Sequence, residues 1–443
     1  MGFVIGGVVF IVGLLASVIA IWQVIWPFFK RRILKRPDPQ TATTKHIDAL
    51  AQQIKAGTDA LAQQIKDLEA KVTQPPTYLD GLPEAVNEKL RAAYQEARIL
   101  QLEGYAAQSD HKHREAIDRF TRALELAEND SQRAALHNLR GNSYSTISEY
   151  NKAEADYQET LKLAARISPE RDAAEARAAA LGNLGNVYRE RGDLEGAEEH
   201  YKSALAIARE IGDRLGQANA LGGLGLVYYR RGELEKAEEH HKKALEIYRE
   251  IGNRLGEAQA LGNLGLVYDL RGELEKAEEH HKKALEIDRE IGNRLGEAQG
   301  LGNLGLVHAR RGELEKAEEY HKQALKIDRE IGNRLGEARQ LGNLGAVYAR
   351  RGGPGDLDKA EEDHKQALDI HREIGNRLGE ANQLGNLGLV HARRGELAKA
   401  RERLQQAQAI YQKIGAGGEG PEKVRRALER IAEQEREQPE RGE

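Results

Sequence analysis

Fourteen histidines in a chain of 443 residues invite a metal-binding reading. Imidazole is the commonest protein metal ligand, and His240–His241 and His280–His281 are adjacent pairs. Adjacent helical residues do not face one direction, and equivalent histidines one repeat apart are separated by a whole helix pair. His241, His281, His321 and His364 fall where Phe120, Tyr157, Tyr201 and Leu404 stand in other copies of the same segment. They therefore read as packed rings at a helix interface, not as ligands. There is no cysteine, so thiolate sites and disulfides are excluded. The chain carries no P-loop, dinucleotide fingerprint, HExxH or nucleophile elbow. No catalytic, metal-binding or cofactor-binding residue is expected, and an enzyme is the least favoured class.

The elements behind these residues are repeats. The stretch LGxLGxV followed by Tyr or His begins at Leu181, Leu221, Leu261, Leu301 and Leu341, 40 residues apart each time, and again at Leu384, 43 residues on. The three extra residues lie in Arg351–Leu357, RGGPGDL, where neighbouring copies have RGEL. In the unit Leu255–Arg294, one helix is predicted from Leu255 to Arg271, stopping at Gly272. A second is predicted from Glu273 or Leu274 to Ile291. Gly292 suits a left-handed cap and Asn293 suits capping of the next helix. Glu278–Lys282 and Glu279–Lys283 are acid-first i,i+4 pairs on a solvent face. Gly265 and Ala277 let the two helices approach closely, while Leu261, Leu264, Tyr268 and His281 fill the space around them. One such pair cannot bury its apolar face alone, so units must stack. Charged residues at 31% and aromatics at 5% suit long helices with small-residue contacts. A net charge of −4 gives no electrostatic reason for nucleic-acid binding.

Leu261, Leu264, Gly265, Tyr268, Ala277, His281 and Ala284 resemble the tetratricopeptide repeat pattern. The Gly recurs at Gly104, Gly141, Gly185, Gly225, Gly265, Gly305, Gly345 and Gly388, and the Ala at Ala116, Ala153, Ala197, Ala237, Ala277, Ala317, Ala360 and Ala400. That makes eight units over residues 84–414. The period of 40 exceeds the usual one of about 34, and the usual Pro near the end of helix B is missing. The longer unit, with REIGNRLGEA between helices, is similar to the Pins/LGN and kinesin-light-chain style. The first two units depart most, with Ala107 for the Tyr and Thr160 for the second helix-B Ala.

The resemblance implies an all-α, right-handed superhelix whose A helices line a concave groove for a protein or peptide segment. Carried over by position, one ladder is Asn183, Asn263, Asn303, Asn343 and Asn386, broken by Gly223. A second is Leu226, Leu266, Leu306 and Leu389. A third is Arg230, Arg310, Arg350 and Arg393, interrupted by Glu190 and Leu270. Asn pairs with peptide backbone as donor and acceptor, and Arg forks onto a carboxylate. The expected occupant is an acidic, apolar-dotted extended peptide. Residues 221–260 and 261–300 are nearly identical. Among their differences are Gly223/Asn263, Tyr229/Asp269, Arg230/Leu270 and Tyr248/Asp288, three of which fall on the inner face of helix A. Duplication alone explains the shared residues, so specificity is expected in those that differ.

The N-terminal part reads differently. Gly2 to Phe29 carries no charge, and Trp22, Trp26, Phe28 and Phe29 cluster at its end. As a helix it covers roughly 42 Å against a hydrocarbon core of roughly 30 Å. Lys30, Arg31, Arg32, Lys35 and Arg36 follow it. The expectation is a transmembrane anchor over 1–29 in a bacterial inner membrane, with the repeats in the cytoplasm. A basic flank and linker would occupy 30–43. A helical stalk would occupy 44–74, where DALAQQIK at Asp48–Lys55 recurs at Asp59–Lys66. The stripe Leu50, Ile54, Leu61, Ile65, Leu68 and Val72 suits either a coiled coil joining copies of the chain or packing against the membrane or the first repeat. A linker over 75–83 opens with Pro75 and Pro76. Beyond the repeats come a Gly-rich break and capping helix over 415–438, striped by Val424, Leu428 and Ile431, and a tail over 439–443. The function expected is a membrane-anchored scaffold for a partner protein. A self-assembling architectural protein and a ligand-sensing regulator are the rivals.

Overall fold

The computed structural model describes the backbone of residues 84–109 and 112–440, and the side chains of residues 96–108 and 112–434. Seventeen α-helices are present among the described residues. Cα packing divides the chain into two compact units, up to Gly216 and from Gln217. The first holds three antiparallel pairs: α1 (Glu84–Ser109) with α2 (His113–Glu125), α3 (Asp130–Thr146) with α4 (Tyr150–Ala164), and α5 (Glu170–Arg191) with α6 (Leu194–Glu210). The second opens within α7 (Arg214–Arg231) and continues with α8 (Leu234–Glu250), α9 (Arg254–Leu270), α10 (Leu274–Glu290), α11 (Arg294–Arg311) and α12 (Leu314–Glu330). It ends with α13 (Arg334–Arg351), α14 (Asp356–Glu373), α15 (Arg377–Arg393), α16 (Leu397–Lys413) and α17 (Glu419–Glu440).

The helix boundaries follow local chemistry. Gly272 ends α9 at φ 76°, and Gly292 follows α10 at φ 70°, both in the left-handed region that favours glycine. The Asn293 side chain accepts a hydrogen bond from Gly296 N at 3.2 Å, capping α11. The predicted helices of this unit match the observed ones to within a residue. In the longer turn, the Asp356 carboxylate takes both Arg351 Nε and Nη2 at 2.8 Å and Gly353 N at 2.9 Å, which pins the inserted turn to the end of α13.

Each helix pair closes on a small-residue contact. Ala116, Ala153, Ala197, Ala237, Ala277, Ala317, Ala360 and Ala400 are all fully buried. Four residues after each, on the same helix, a ring or Leu lies on the helix-A glycine: Phe120 on Gly104, Tyr157 on Gly141, Tyr201 on Gly185, His241 on Gly225, His281 on Gly265, His321 on Gly305, His364 on Gly345 and Leu404 on Gly388.

Successive pairs are tied by charge. Glu238 accepts from Tyr268 Oη at 2.7 Å, from Lys242 at 2.6 Å and from Arg271. The equivalent Glu318 takes Tyr348, Lys322 and Arg351. Burial alone would raise both carboxyls, but the hydrogen bonds from these donors hold them down at about 2. A second tie runs through the REIGNRLGEA segment. Glu257 is buried between Arg249 (2.8 Å) and Arg254 (2.5 Å), and Arg254 reaches on to Glu290 at 2.5 Å. The same chain recurs at Arg289–Glu297–Arg294–Glu330 and Arg329–Glu337–Arg334–Glu373. In the first unit, Asp156 is buried and receives Arg140 through both Nε and Nη2, at 2.8 and 2.7 Å, while His137 Nδ1 lies 2.7 Å away. Thr160, where other repeats have Ala, donates to Asp156 O and Ala134 O.

The expectation of a transmembrane helix, and with it of a single-pass inner-membrane protein, is corrected here. Among the described residues no helix is long and apolar enough to cross a membrane. The reason is visible in α10 and its equivalents: each buries one face and lays Glu–Lys pairs such as Glu279–Lys283 along the other. The segments read as anchor (1–29), basic flank (30–43), stalk (44–74) and linker (75–83) lie outside the described residues, as does most of the tail over 439–443.

Candidate partner groove

Eight of the histidines take one of two packing roles. His241, His281, His321 and His364 are the buried rings on the helix-A glycines. Burial pushes all four down to about 4, so they are neutral at pH 7. The preceding residue stacks outside. His200 lies on Tyr188, His240 on Tyr228, His280 on Tyr268 and Tyr320 on His308, with ring centroids 4.8–5.1 Å apart. His240 and His280 also bring Nδ1 within 2.8 Å of the carbonyls of Lys236 and Lys276. Among the described residues, no three His, Asp or Glu side chains stand together as a metal cage.

The Asn ladder lies on the A helices at half-buried positions. Asn183, in the first unit, donates from Nδ2 to Asn138 Oδ1 at 2.9 Å. Asn263, Asn303, Asn343 and Asn386, in the second, have amides that no described side chain engages. Of the Leu ladder, Leu226, Leu266 and Leu389 are half-buried and Leu306 is exposed, while Ala346 replaces it in α13. The Arg ladder is exposed but already engaged. Arg310 donates to Asp269 O at 3.0 Å with the Asp269 carboxylate 3.3 Å away, Arg350 to Ala309 O at 2.5 Å, and Arg393 to Ala349 O. Each guanidinium thus sits on a carbonyl at the C-terminal end of the preceding A helix, where the helix dipole favours a cation. Arg230 is exposed at the end of α7. The ladder is therefore a brace between A helices as well as a charged rim.

Four ladder residues come together in one cleft. Asn343, Asn386, Leu389 and Arg393 line two adjoining pockets of about 540 and 640 Å³ over α15, walled by α13 and α17. Val424 seats α17 on this face, with Cγ2 3.1 Å from where a Cβ on Gly385 would be. Val424, Ala427 and Ile431 are buried. Asn382, held by Tyr411 Oη at 2.6 Å, sits at one end. His371 lines the same end, with Nδ1 buried and unpaired and the ring held below its usual range by burial.

Two features of this site escaped the sequence. Leu335 and Leu378 stand at the cleft mouth, 54% and 50% exposed, and Leu255 and Leu295 are exposed at the same place in earlier units. They belong to NRLGEA, whose Leu was read only as the start of a helix, and a large apolar residue repeated in an otherwise polar first turn was the available signal. The second feature is the wall made by α17, whose Lys423, Arg426 and Arg430 face the cleft. Nothing in its sequence says against which helix it folds back.

A family model described as Tetratricopeptide repeat matches residues 131–210, 176–250, 216–290, 296–354 and 355–413. No curated protein matches the chain. Among solved structures, the chain is similar to a Rap protein complexed with Competence and Sporulation Factor (18% identity, 78% of this chain and 99% of that one, TM-score 0.51). It is similar also to the Rap conjugation gene regulator of plasmid pLS20 in complex with the Phr* peptide (16%, 74% and 94%, TM-score 0.51). A third is a signal transduction ATPase with numerous domains and a tetratricopeptide repeat sensor, from Pyrococcus horikoshii (18%, 76% and 53%, TM-score 0.54). At these identities the likeness is one of fold. The matched residues span more than half of the sequence and carry the Gly–ring and Ala contacts of successive pairs, and this chain belongs to the tetratricopeptide repeat family.

Proposed function

We propose that this protein is a binding module that holds an extended segment of a partner protein, or a peptide, on the A-helix face of its second unit. The observation that carries this is the convergence of Asn343, Asn386, Leu389 and Arg393 on one open cleft. Amides that no described side chain engages are available to a peptide backbone of any sequence. The apolar patches around Ala346 and Leu389 supply contact area. In this reading, the eight units predicted over 84–414 form the binding body and the helix predicted within 415–438 closes it. Two proteins of similar fold are described as complexed with Competence and Sporulation Factor and with a Phr* peptide, which supports a peptide-sized occupant. No chemistry is assigned to the cleft.

The test is selection of a random peptide library on the full chain, followed by affinity measurement of the enriched sequences. The double variant Asn343→Ala/Asn386→Ala is expected to lose at least about tenfold in affinity, since each amide makes a hydrogen bond of about 1 kcal/mol. Enriched peptides that bind this variant as tightly as the unaltered chain overturn the proposal.

A further inference from the structure

Most cations of the second unit are spoken for. Lys282, Lys283, Lys322 and Lys365 pair with Glu278, Glu279, Glu318 and Glu361, while Arg271, Arg311, Arg351 and Arg394 tie one pair to the next. Around the cleft the pattern changes. Arg339 of α13 and Lys423 and Arg430 of α17 are exposed, line the cleft, and form no salt bridge among the described residues. Lys423 and Arg430 are seven residues apart, two helical turns, and so share one face of α17. Arg426 between them pairs with Glu422 at 3.1 Å. Glu419 and Glu422 are the acids on the rim, against Arg339, Arg393, Lys423, Arg426 and Arg430. Unpaired charges of one sign around a concave, partly apolar surface focus a positive potential into it.

We infer that α17 is half of the recognition surface and not only an end cap: an acidic segment with alternating apolar residues lies over α15, its carboxylates against Arg339, Lys423 and Arg430. The inference rests on the peptide-groove reading and adds the charge and the second wall. Its geometry follows from extended backbone, whose side chains alternate between opposite faces. One face meets the floor of Ala346, Leu389 and Ala392, and the other turns its carboxylates to the basic wall. The 17 residues of α15 span about 25 Å, room for seven or eight extended residues at about 3.3 Å each.

Fluorescence anisotropy of the full chain with three labelled octapeptides, alternating Leu with Glu, Gln or Lys, tests this. The Leu/Glu peptide is expected to bind tightest, with a steep loss in salt. Lys423→Glu/Arg430→Glu should weaken Leu/Glu binding by at least about tenfold, leave Leu/Gln within about twofold, and turn the preference to Leu/Lys. Both sites are on an exposed helix face, and an unchanged circular dichroism melt confirms the fold. If that variant binds Leu/Glu like the unaltered chain while Asn343→Ala/Asn386→Ala does not, the groove stands and the α17 wall is wrong. If neither variant changes binding, both proposals fall. Equal binding of Leu/Glu and Leu/Lys by the unaltered chain also overturns the inference.

Discussion

The His281 ring lies so close over Gly265 that a Cβ on that glycine would sit 2.5 Å from Cε1. The same fit recurs in every helix pair, with Phe, Tyr, His or Leu as the filler. What the fold requires at that place is a flat or branched apolar volume on a helix without a side chain. The imidazole meets that need in neutral form, with Nδ1 of His321 3.0 Å from Gln340 Oε1 and Nδ1 of His364 2.8 Å from Gln383 Oε1. Both nitrogens of His241 and Nδ1 of His281 are buried without a partner.

Gly265→Ala is therefore expected to destabilise, although Ala is the better helix former. Overpacking of a close contact costs about 1–3 kcal/mol. Gly262 is in the same helix, and a Cβ added there would meet nothing within 4 Å, so Gly262→Ala should stabilise by up to about 1 kcal/mol. Urea denaturation of the two variants checks this, and equal effects would show that helix propensity, not packing, governs both sites.

Acid should weaken the protein through its buried imidazoles. His241, His281, His321 and His364 titrate near 4 in the fold and near 6.5 when unfolded. Their folded values are depressed, so the unfolded chain binds the extra protons. Stability is then whole above about pH 6.5 and is lost as pH falls toward 4. Asp363 works the other way: burial raises it to about 6, so protonation there favours the fold as pH drops through that value. Burial raises Asp269, Asp288 and Asp328 in the same direction, while His371 is lowered along with the other four imidazoles; the four imidazoles held near 4 set the net loss. His281→Phe, which copies Phe120, should flatten the decline in thermal midpoint between pH 7 and 5. A slope unchanged in that variant would falsify the account.

This division between filler and partner explains how much was legible beforehand. The Gly and Ala positions were readable because helix packing imposes them in every copy. The fate of His281 was readable because Phe120 and Tyr157 stand in its place. The ties were not. Glu278 looked like half of a surface pair with Lys282, and the fold adds Arg311 from the next pair. Arg310 and Arg350 looked like free rim charges, and each bonds a carbonyl 41 residues back. Such partners depend on how far one pair rotates against the next, which no local periodicity encodes. The membrane expectation came from hydropathy of residues 1–29, which lie outside the described residues, and none of the described helices is long and apolar enough to cross a membrane.

Asp156→Ala should be among the more damaging single changes in the first unit. Burial raises this carboxyl, but Arg140 and His137 outweigh that and hold it below its usual range. Removal leaves the Arg140 guanidinium half-buried without its bidentate acceptor. Breaking such a pair costs about 3 kcal/mol. Asp156→Asn, which keeps the shape and one acceptor, should cost less. Chemical denaturation followed by proteolysis of the first unit reads both, and equal losses would assign the effect to shape and not to the charge.

Lys413→Glu should extend the charged tie to the end of the array. Arg254, Arg294 and Arg334 each bond an acid at the end of the next B helix, Glu290, Glu330 and Glu373. Arg377 holds Glu380 in the same way as its counterparts hold theirs, but the residue at the corresponding B-helix end is Lys413. Two cations take the places that in the three preceding units hold an attracting pair. The substitution should raise the urea midpoint slightly at low salt, because an exposed pair contributes little. The gain should vanish at about 1 M salt, where the screening length is about 3 Å. It should vanish also when Arg377→Ala is added. A gain that survives the loss of Arg377 would place its origin in the α16 helix itself, whose C-terminal turn ordinarily favours a lysine over a glutamate.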